Sequence, residues 1–204
     1  MEEKFEEYQG FDSLCIAEVI EDNAENYLVG EVEVLAPAGE ISKTTESEIA
    51  TRFYDNQPYL NIASEGSDEV SLTVPVLPLS KQAKITGKTI DAETGALLDD
   101  GDPHVKYFAL LYRLRFTDGT YRYVARHKGS FKMGDEAAKA RDNSTDSNNM
   151  TLTFTGIKTK HKFAKTNNGS KAIVADEREG KIDVSTWFDE VVTPDTIKAV
   201  VAEG

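Results

Sequence analysis

The chain has 204 residues, with 36 Asp or Glu against 23 Lys or Arg and a formal net charge of −13. That balance argues against non-specific nucleic-acid binding, which works through phosphate contacts, and the length supports one sizeable domain or at most two small ones. No apolar run approaches the roughly 18 residues of a membrane span, and the acidic opening MEEKFEEYQG has no apolar stretch of the kind a signal peptide needs.

Residues 1–10 read as a solvated arm. Leu14 to Ile20 reads as a strand apolar on both faces except at Glu18; the single cysteine, Cys15, lies inside it, which makes a buried, inert thiol the expectation, rules out an internal disulfide and fits a reducing cytoplasm. Asn23 to Asn26 is a turn, and Tyr27 to Leu35 alternates as a half-buried strand. The polar stretch 36–48, punctuated by Gly and Pro, reads as a loop or mobile hairpin tip. Ile49 to Tyr54 is a short strand, residues 55–58 a turn, Tyr59 to Ala63 a segment that pairs back, and Ser64 to Asp68 another loop. Val70, Leu72, Val74 and Val76 alternate until Pro75 and Pro78 stop the ladder. A short helix follows, with Ser80 as its N-cap and Gly87 just past its end, and residues 88–102 form a loop or small hairpin.

The segment from His104 to Phe131 is the strongest local signal, because two alternating runs flank Asp118-Gly119, a pair suited to a two-residue hairpin turn. With Thr117 opposite Thr120, one face collects Phe108, Leu110, Tyr112, Leu114, Phe116, Tyr121, Tyr123, Ala125 and His127. The other collects Arg113, Arg115, Arg122 and Arg126, with Leu111 and Val124 among them, and leaves the arginines no aromatic partner. Residues 104–132 carry seven Lys or Arg against Asp118, whereas residues 1–33 carry eleven acids against Lys4. One molecule thus has a negative end and a positive hairpin, an arrangement suited to complementary contacts between identical subunits. Residues 133–149 read as an exposed polar excursion, Met150 to Thr155 as an alternating strand, and Gly156 as a β-bulge. Asn167-Asn168-Gly169 is a turn, Ala172 to Ala175 a last strand, Asp183 the cap of a short helix holding Trp187 and Phe188, and Thr193-Pro194 the start of a final helix over about 194–202. Many short strands without a βαβ rhythm argue for a mainly β protein, an antiparallel sandwich or barrel with one or two short flanking helices in a single domain over 1–204.

Chemical motifs are weak. Asp99-Asp100-Gly101-Asp102 lacks the spaced ligands of a calcium loop and reads as a solvated acidic turn. His104, His127 and His161 have no metal-ligand spacing, and His127 reads as a structural, hydrogen-bonded side chain. No nucleophile elbow, P-loop or dinucleotide fingerprint occurs, so no catalytic residue, cofactor or metal is assigned.

Several ordered pieces, YQGFDSLCIAEV, FYDNQPY, EVSLTVPVLPLSKQAKITG, DAETGALLDDGDPHVKYFALLYRLRFTDGTYRYVARHKGSF, TDSNNMTLTFTGI and DVSTWFDEVV, resemble the major tail proteins of long-tailed bacteriophages of the phi13 type, over most of residues 9–192. The resemblance implies a β-sandwich with a flanking helix that is not an enzyme and needs no cofactor. It implies a virion protein, made and assembled in the host cytoplasm, whose copies form rings, commonly six-fold (hexameric), that stack around a tape-measure protein with tail initiation and terminator proteins at the ends. DNA is then a transit cargo that is not specifically bound. Six copies at −13 would carry −78 per ring, so Arg113, Arg115, Arg122 and Arg126 are the candidate subunit contacts. Residues 36–48 and 133–149 are the segments expected to order on stacking. The alternative is a monomeric β-sandwich binding module, for example for carbohydrate.

Overall fold

The computed structural model describes residues 5–102, 104–134 and 149–200. In chain order the elements are β1 (Tyr8–Asp22), β2 (Tyr27–Val29), β3 (Glu33–Val34), β4 (Glu40–Tyr54), β5 (Gln57–Val74), helix α1 (Leu79–Thr86), the small hairpin β6 (Thr89–Ile90) and β7 (Leu97–Leu98), β8 (Phe108–Phe116), β9 (Tyr121–Met133), β10 (Met150–Gly156) and β11 (Ala172–Asp176). Nine strands form one sheet in the order β2-β1-β8-β9-β10-β5-β4, with β3 beside β1 and β11 beside β9. The mainly β, sandwich-type antiparallel expectation is met, with one flanking α-helix among the described residues.

In the body of the molecule, outside the β4–β5 extension, both faces of the sheet carry buried clusters. On the inner face Leu14, Ile16, Leu72, Phe108, Leu110 and Phe154 form a core that Leu77 and Ile85 close from the side of α1. On the outer face Cys15, Ala17, Leu111, Tyr123 and Ala125 pack beneath Trp187, Val191 and Val192. The segment 181–200 is therefore a wrap over the outer face, fastened by an Ile182–Ala199 bridge and by Asp183 N–H donating to the Lys198 carbonyl at 3.0 Å. Burial of Cys15 pushes its thiol pKa up, in keeping with an inert side chain.

Several expectations are corrected. The stretch 36–48 is no loop: from Glu40 it belongs to β4, and 64–68 belongs to the unbroken β5. α1 begins after Pro78, whose carbonyl accepts from Lys81 and Gln82 N–H, so Ser80 is inside the helix and not its cap. Gly87 ends it in the left-handed conformation, where an added Cβ would lie 2.6 Å from the His104 carbonyl oxygen. Gly156 is the end of β10 and no bulge, because it still pairs with Gly129 and Asp68. No helix follows Asp183, which caps a turn through Ser185 N–H. Nor does one run over 194–200, where a single turn closes on the Thr193 carbonyl and the chain then enters the bridge to Ile182. A segment this short cannot repay helix nucleation when extended pairing is on offer. Residues 201–202 lie outside the described residues, as does most of the 133–149 excursion. At the other end, the expected arm is a strand from Tyr8 onward.

The β8–β9 hairpin differs by one residue from the sequence reading. Gly119, at φ 88°, closes a three-residue loop in which Phe116 N–H donates to Thr120 O and the Asp118 carboxylate accepts from Thr120 N–H at 2.9 Å. Register then pairs Leu110 with Arg126, Tyr112 with Val124, Leu114 with Arg122 and Arg113 with Tyr123. A one-residue slip turns a whole strand over. Arg122 and Arg126 share the inner face with Leu110, Tyr112 and Leu114, while Arg113 and Arg115 share the outer face with Tyr121 and Tyr123.

Candidate assembly surface

The first feature is an arm. β4 and β5 stay paired from Glu40–Thr73 to Tyr54–Gln57, around a turn at Asp55 and Asn56 whose φ angles are 51° and 60°. Asp and Asn tolerate that left-handed conformation better than most residues, which is why the chain reverses there. Beyond the irregularity at Glu46 the ribbon leaves the body and, at about 3.3 Å per residue, projects roughly 30 Å. Every side chain from 46 to 66 except Ala50 is exposed. Large apolar groups stand on both faces, Ile49 and Phe53 on one and Leu60, Ile62 and Tyr54 on the other, and Tyr59 at 78% is the most exposed of the arm's aromatics. A two-stranded ribbon is marginal in water by itself, and apolar patches on this scale mark interaction surfaces.

The second feature is the root of the arm. Asp68, 5% exposed, accepts from Thr45 Oγ1 at 2.8 Å, Lys171 Nζ at 3.2 Å and Arg126 Nη1 at 2.5 Å, with Lys43 at 3.7 Å. Burial alone would raise this carboxyl, but the bonds from Thr45, Lys171 and Arg126 hold it below its ordinary value. The charged knot sits where the ribbon passes from the body into solvent and ties Asp68 of β5 to β4, β9 and Lys171.

The four arginines do not make one basic face. Arg126 is 6% exposed and held by Asp68 and the Tyr112 hydroxyl. Arg122 bonds Asp176 at 2.8 Å and the Tyr8 hydroxyl at 2.5 Å, and lies over the Phe116 ring. Arg113 bonds Asp12 and stacks 4.1 Å over Tyr121. Arg115 is exposed and has no ion-pair partner among the described residues. The slipped register supplies the aromatic partners that the sequence reading denied them. Asp176, between Arg122 and Arg178, has its carboxyl pKa pushed far down by the bonds from Arg178 foremost.

The third feature is a trough. Tyr8 to Asp12 pair only with β8, and β4 only with β5, so both strands present a free edge among the described residues. Gln9 and Phe11 on one side and Ile41 and Lys43 on the other border a trough of about 740 Å³. Its floor is the inner face of β8 and β9, with Tyr112, Leu114, Val124, Arg122 and Arg126.

Elsewhere the polar side chains serve the fold. Asp99 and Asp100 bond Lys88 and His104 and cap the turn through Gly101 and Asp102 N–H, as a solvated acidic turn should. His127 is buried, bonds the Val192 carbonyl at 3.0 Å and meets the edges of Tyr27 and Phe163; burial lowers its pKa to about 4. Asp22, on the Lys128 ammonium and on Lys160 and His161 N–H, ties the 157–163 segment to β1. Among the described residues no group of three His, Cys, Asp or Glu side chains is placed to hold a metal, and no helix is long and apolar enough to cross a membrane.

These features define a β subunit whose distinctive surfaces are an exposed apolar ribbon and an open trough. The sequence profile described as phage tail tube protein matches residues 46–194, well over half of the chain and including the arm, α1, the β8–β9 hairpin and most of the wrap. The chain belongs to that family: it is a structural phage tail protein and not an enzyme. No curated protein matches it.

Proposed function

We propose that the protein is the major tail tube subunit of a long-tailed phage, of the phi13 type. Copies join into rings, six-fold by resemblance, and the rings stack into a hollow tube around a tape-measure protein, with initiation and terminator proteins at its ends. The subunit is made and assembled in the host cytoplasm and resides in the virion tail, and DNA passes through the tube without specific binding. The observation that carries this reading is the arm: a ribbon with large apolar side chains on both faces, in a chain of a tube-forming family. A carbohydrate-binding module would need one flat aromatic platform, whereas Phe53, Tyr54 and Tyr59 are spread over two faces of a ribbon.

The overall charge fits a conduit, since a net of −13 per copy repels a duplex and keeps it sliding. The same charge makes neighbouring copies repel unless cations meet acids across the joint. Of the four arginines proposed as contacts, Arg115 is the one whose charge is unspent within the subunit, and it bears that proposal. The Arg115→Glu variant should raise the concentration needed for assembly and change its salt dependence; an unchanged response sinks the contact. The function itself is tested by negative-stain electron microscopy with light scattering on the concentrated protein. Hollow tubes or stacked rings of uniform diameter are expected. A strict monomer at every concentration and salt, with tape-measure and initiation proteins also present, overturns it.

A further inference from the structure

We propose that Asn168 is a self-modification site: the folded turn closes its side chain onto the Gly169 nitrogen, and the chain converts itself there to a mixture of aspartate and isoaspartate. The inference is independent of the tail tube reading.

Residues 159–170 fold back on themselves. Thr159 N–H donates to the Ser170 carbonyl at 3.1 Å, Ser170 N–H to Thr159 Oγ1 at 3.0 Å, and Phe163 N–H to the Asn168 carbonyl at 3.0 Å. The Asp195 carboxylate of the wrap holds the bend by accepting from Ala164 and Lys165 N–H. Asn167, at φ 49°, turns the chain back into the neck. Only glycine fits next, because a Cβ at Gly169 would lie 2.2 Å from the Thr159 carbonyl oxygen. The fold thus demands, directly after Asn168, the one residue with no side chain to shield its backbone nitrogen. This is the one Asn-Gly pair in the chain.

The side chain completes the arrangement. Lys158 Nζ donates to Asn168 Oδ1 at 2.7 Å. An ammonium only donates, so it fixes which end of the amide faces it. Gly169 N–H donates to the same oxygen at 3.1 Å, and among the described residues no backbone carbonyl takes that N–H. When hydroxide removes this proton, the lone pair left behind points at the carboxamide. The nitrogen bonds to Cγ and closes a five-membered ring, while the C=O electrons move onto Oδ1 beside the Lys158 ammonium. Collapse of that oxyanion breaks the bond from Cγ to the amide nitrogen, which takes a proton from water and leaves as ammonia. The product is a succinimide. Water then adds to either ring carbonyl and breaks its bond to the Gly169 nitrogen: opening at Cγ gives aspartate, and opening at the main-chain carbonyl gives isoaspartate. Asn168 is exposed, and water reaches it from an open cleft of about 530 Å³ lined by Lys158, Gly169 and Ser170. Either product adds one negative charge to a net of −13. Isoaspartate also lengthens the main chain by one carbon at the Phe163–Asn168 bridge.

The test is peptide mapping by mass spectrometry on the full-length protein, aged at neutral and at mildly alkaline pH. Digestion in heavy-oxygen water marks conversions made during preparation. Asn168 should convert ahead of Asn23, Asn26, Asn56 and Asn61, faster at the higher pH, and give two separable products of equal mass. Lys158→Met should slow conversion in the folded protein about three- to tenfold, less than the roughly hundredfold of a buried oxyanion donor because Lys158 is exposed. The same substitution should make no difference once both proteins are unfolded in urea. An Asn168 that survives while the other four convert overturns the proposal, and so does a folded Lys158→Met variant that converts at the rate of the unaltered protein.

Discussion

β5 is a single strand of 18 residues that lives in two environments. Between Asp68 and Val74 its alternate side chains Val70, Leu72 and Val74 are at most 1% exposed, whereas Tyr59, Leu60 and Ile62 toward its start stand in solvent. The backbone does not change at the boundary; the cover does. In the body, β10 pairs with the second edge of the strand and the inner core covers one face, while in the arm only β4 is alongside among the described residues. A stretch of chain therefore holds its strand form by ladder hydrogen bonds and a few cross-strand side-chain contacts, with its large apolar side chains left in solvent.

That contrast makes graded predictions. Phe154→Ala, in the body, should cost about 3–5 kcal/mol in urea unfolding, the usual range for emptying a buried aromatic site; a cost below about 1 kcal/mol would mean the body is as loose as the arm. Asp68→Ala at the boundary should cost about 3 kcal/mol, because it strands Arg126 as a buried unpaired charge, and it should speed amide exchange in the arm more than in β8. Acidification should act on the body through His127. His127 has a folded pKa of about 4, below its ordinary 6.5, so the unfolded chain takes up the proton first. Stability is then unaffected by this group above about pH 6.5 and falls by on the order of 3 kcal/mol as the pH drops through the window to 4. His127→Phe should flatten that part of the profile. Smallest of all, Tyr59→Ser should shift the stability of the isolated subunit by less than about 0.5 kcal/mol while weakening assembly; a large loss of subunit stability would show that the arm folds against its own body.

The sequence revealed the body more clearly than the arm, and the reason is physical. Alternation such as Val70-Leu72-Val74 or Leu152-Phe154 exists because one face meets a core; a ribbon without a core has no such demand, so Glu40 to Glu48 looked like a loop. Its signals were the threonines at 44, 45 and 51 and the pairing symmetry about Asp55-Asn56. The β8–β9 hairpin was found but its register was misread, for a related reason. Both faces of that hairpin are covered, so FALLYRLRF and YRYVAR each offer two apolar phases and pattern alone cannot choose between them. The deciding clue was local: Asp118 bonding Thr120 favours the three-residue loop over the two-residue turn. The candidate contacts inherited the error, and three of the four arginines turned out to be committed within the subunit. The trough could not be read at all, since it is made by what the edges of β1 and β4 leave unpaired.

The wrap over the outer face has a consequence in time. β1 must wait for β8, some ninety residues later, and the Leu111–Tyr123–Ala125 surface stays bare until residues 181–200 have been synthesised and laid across it. The arm, complete by residue 74, is presented long before that. A nascent subunit thus shows its sticky ribbon and an unfinished face together, in a chain rich in distant pairings that form slowly. A ribosome pausing before Trp187 should therefore yield tangled aggregates where a full-length chain would yield tubes.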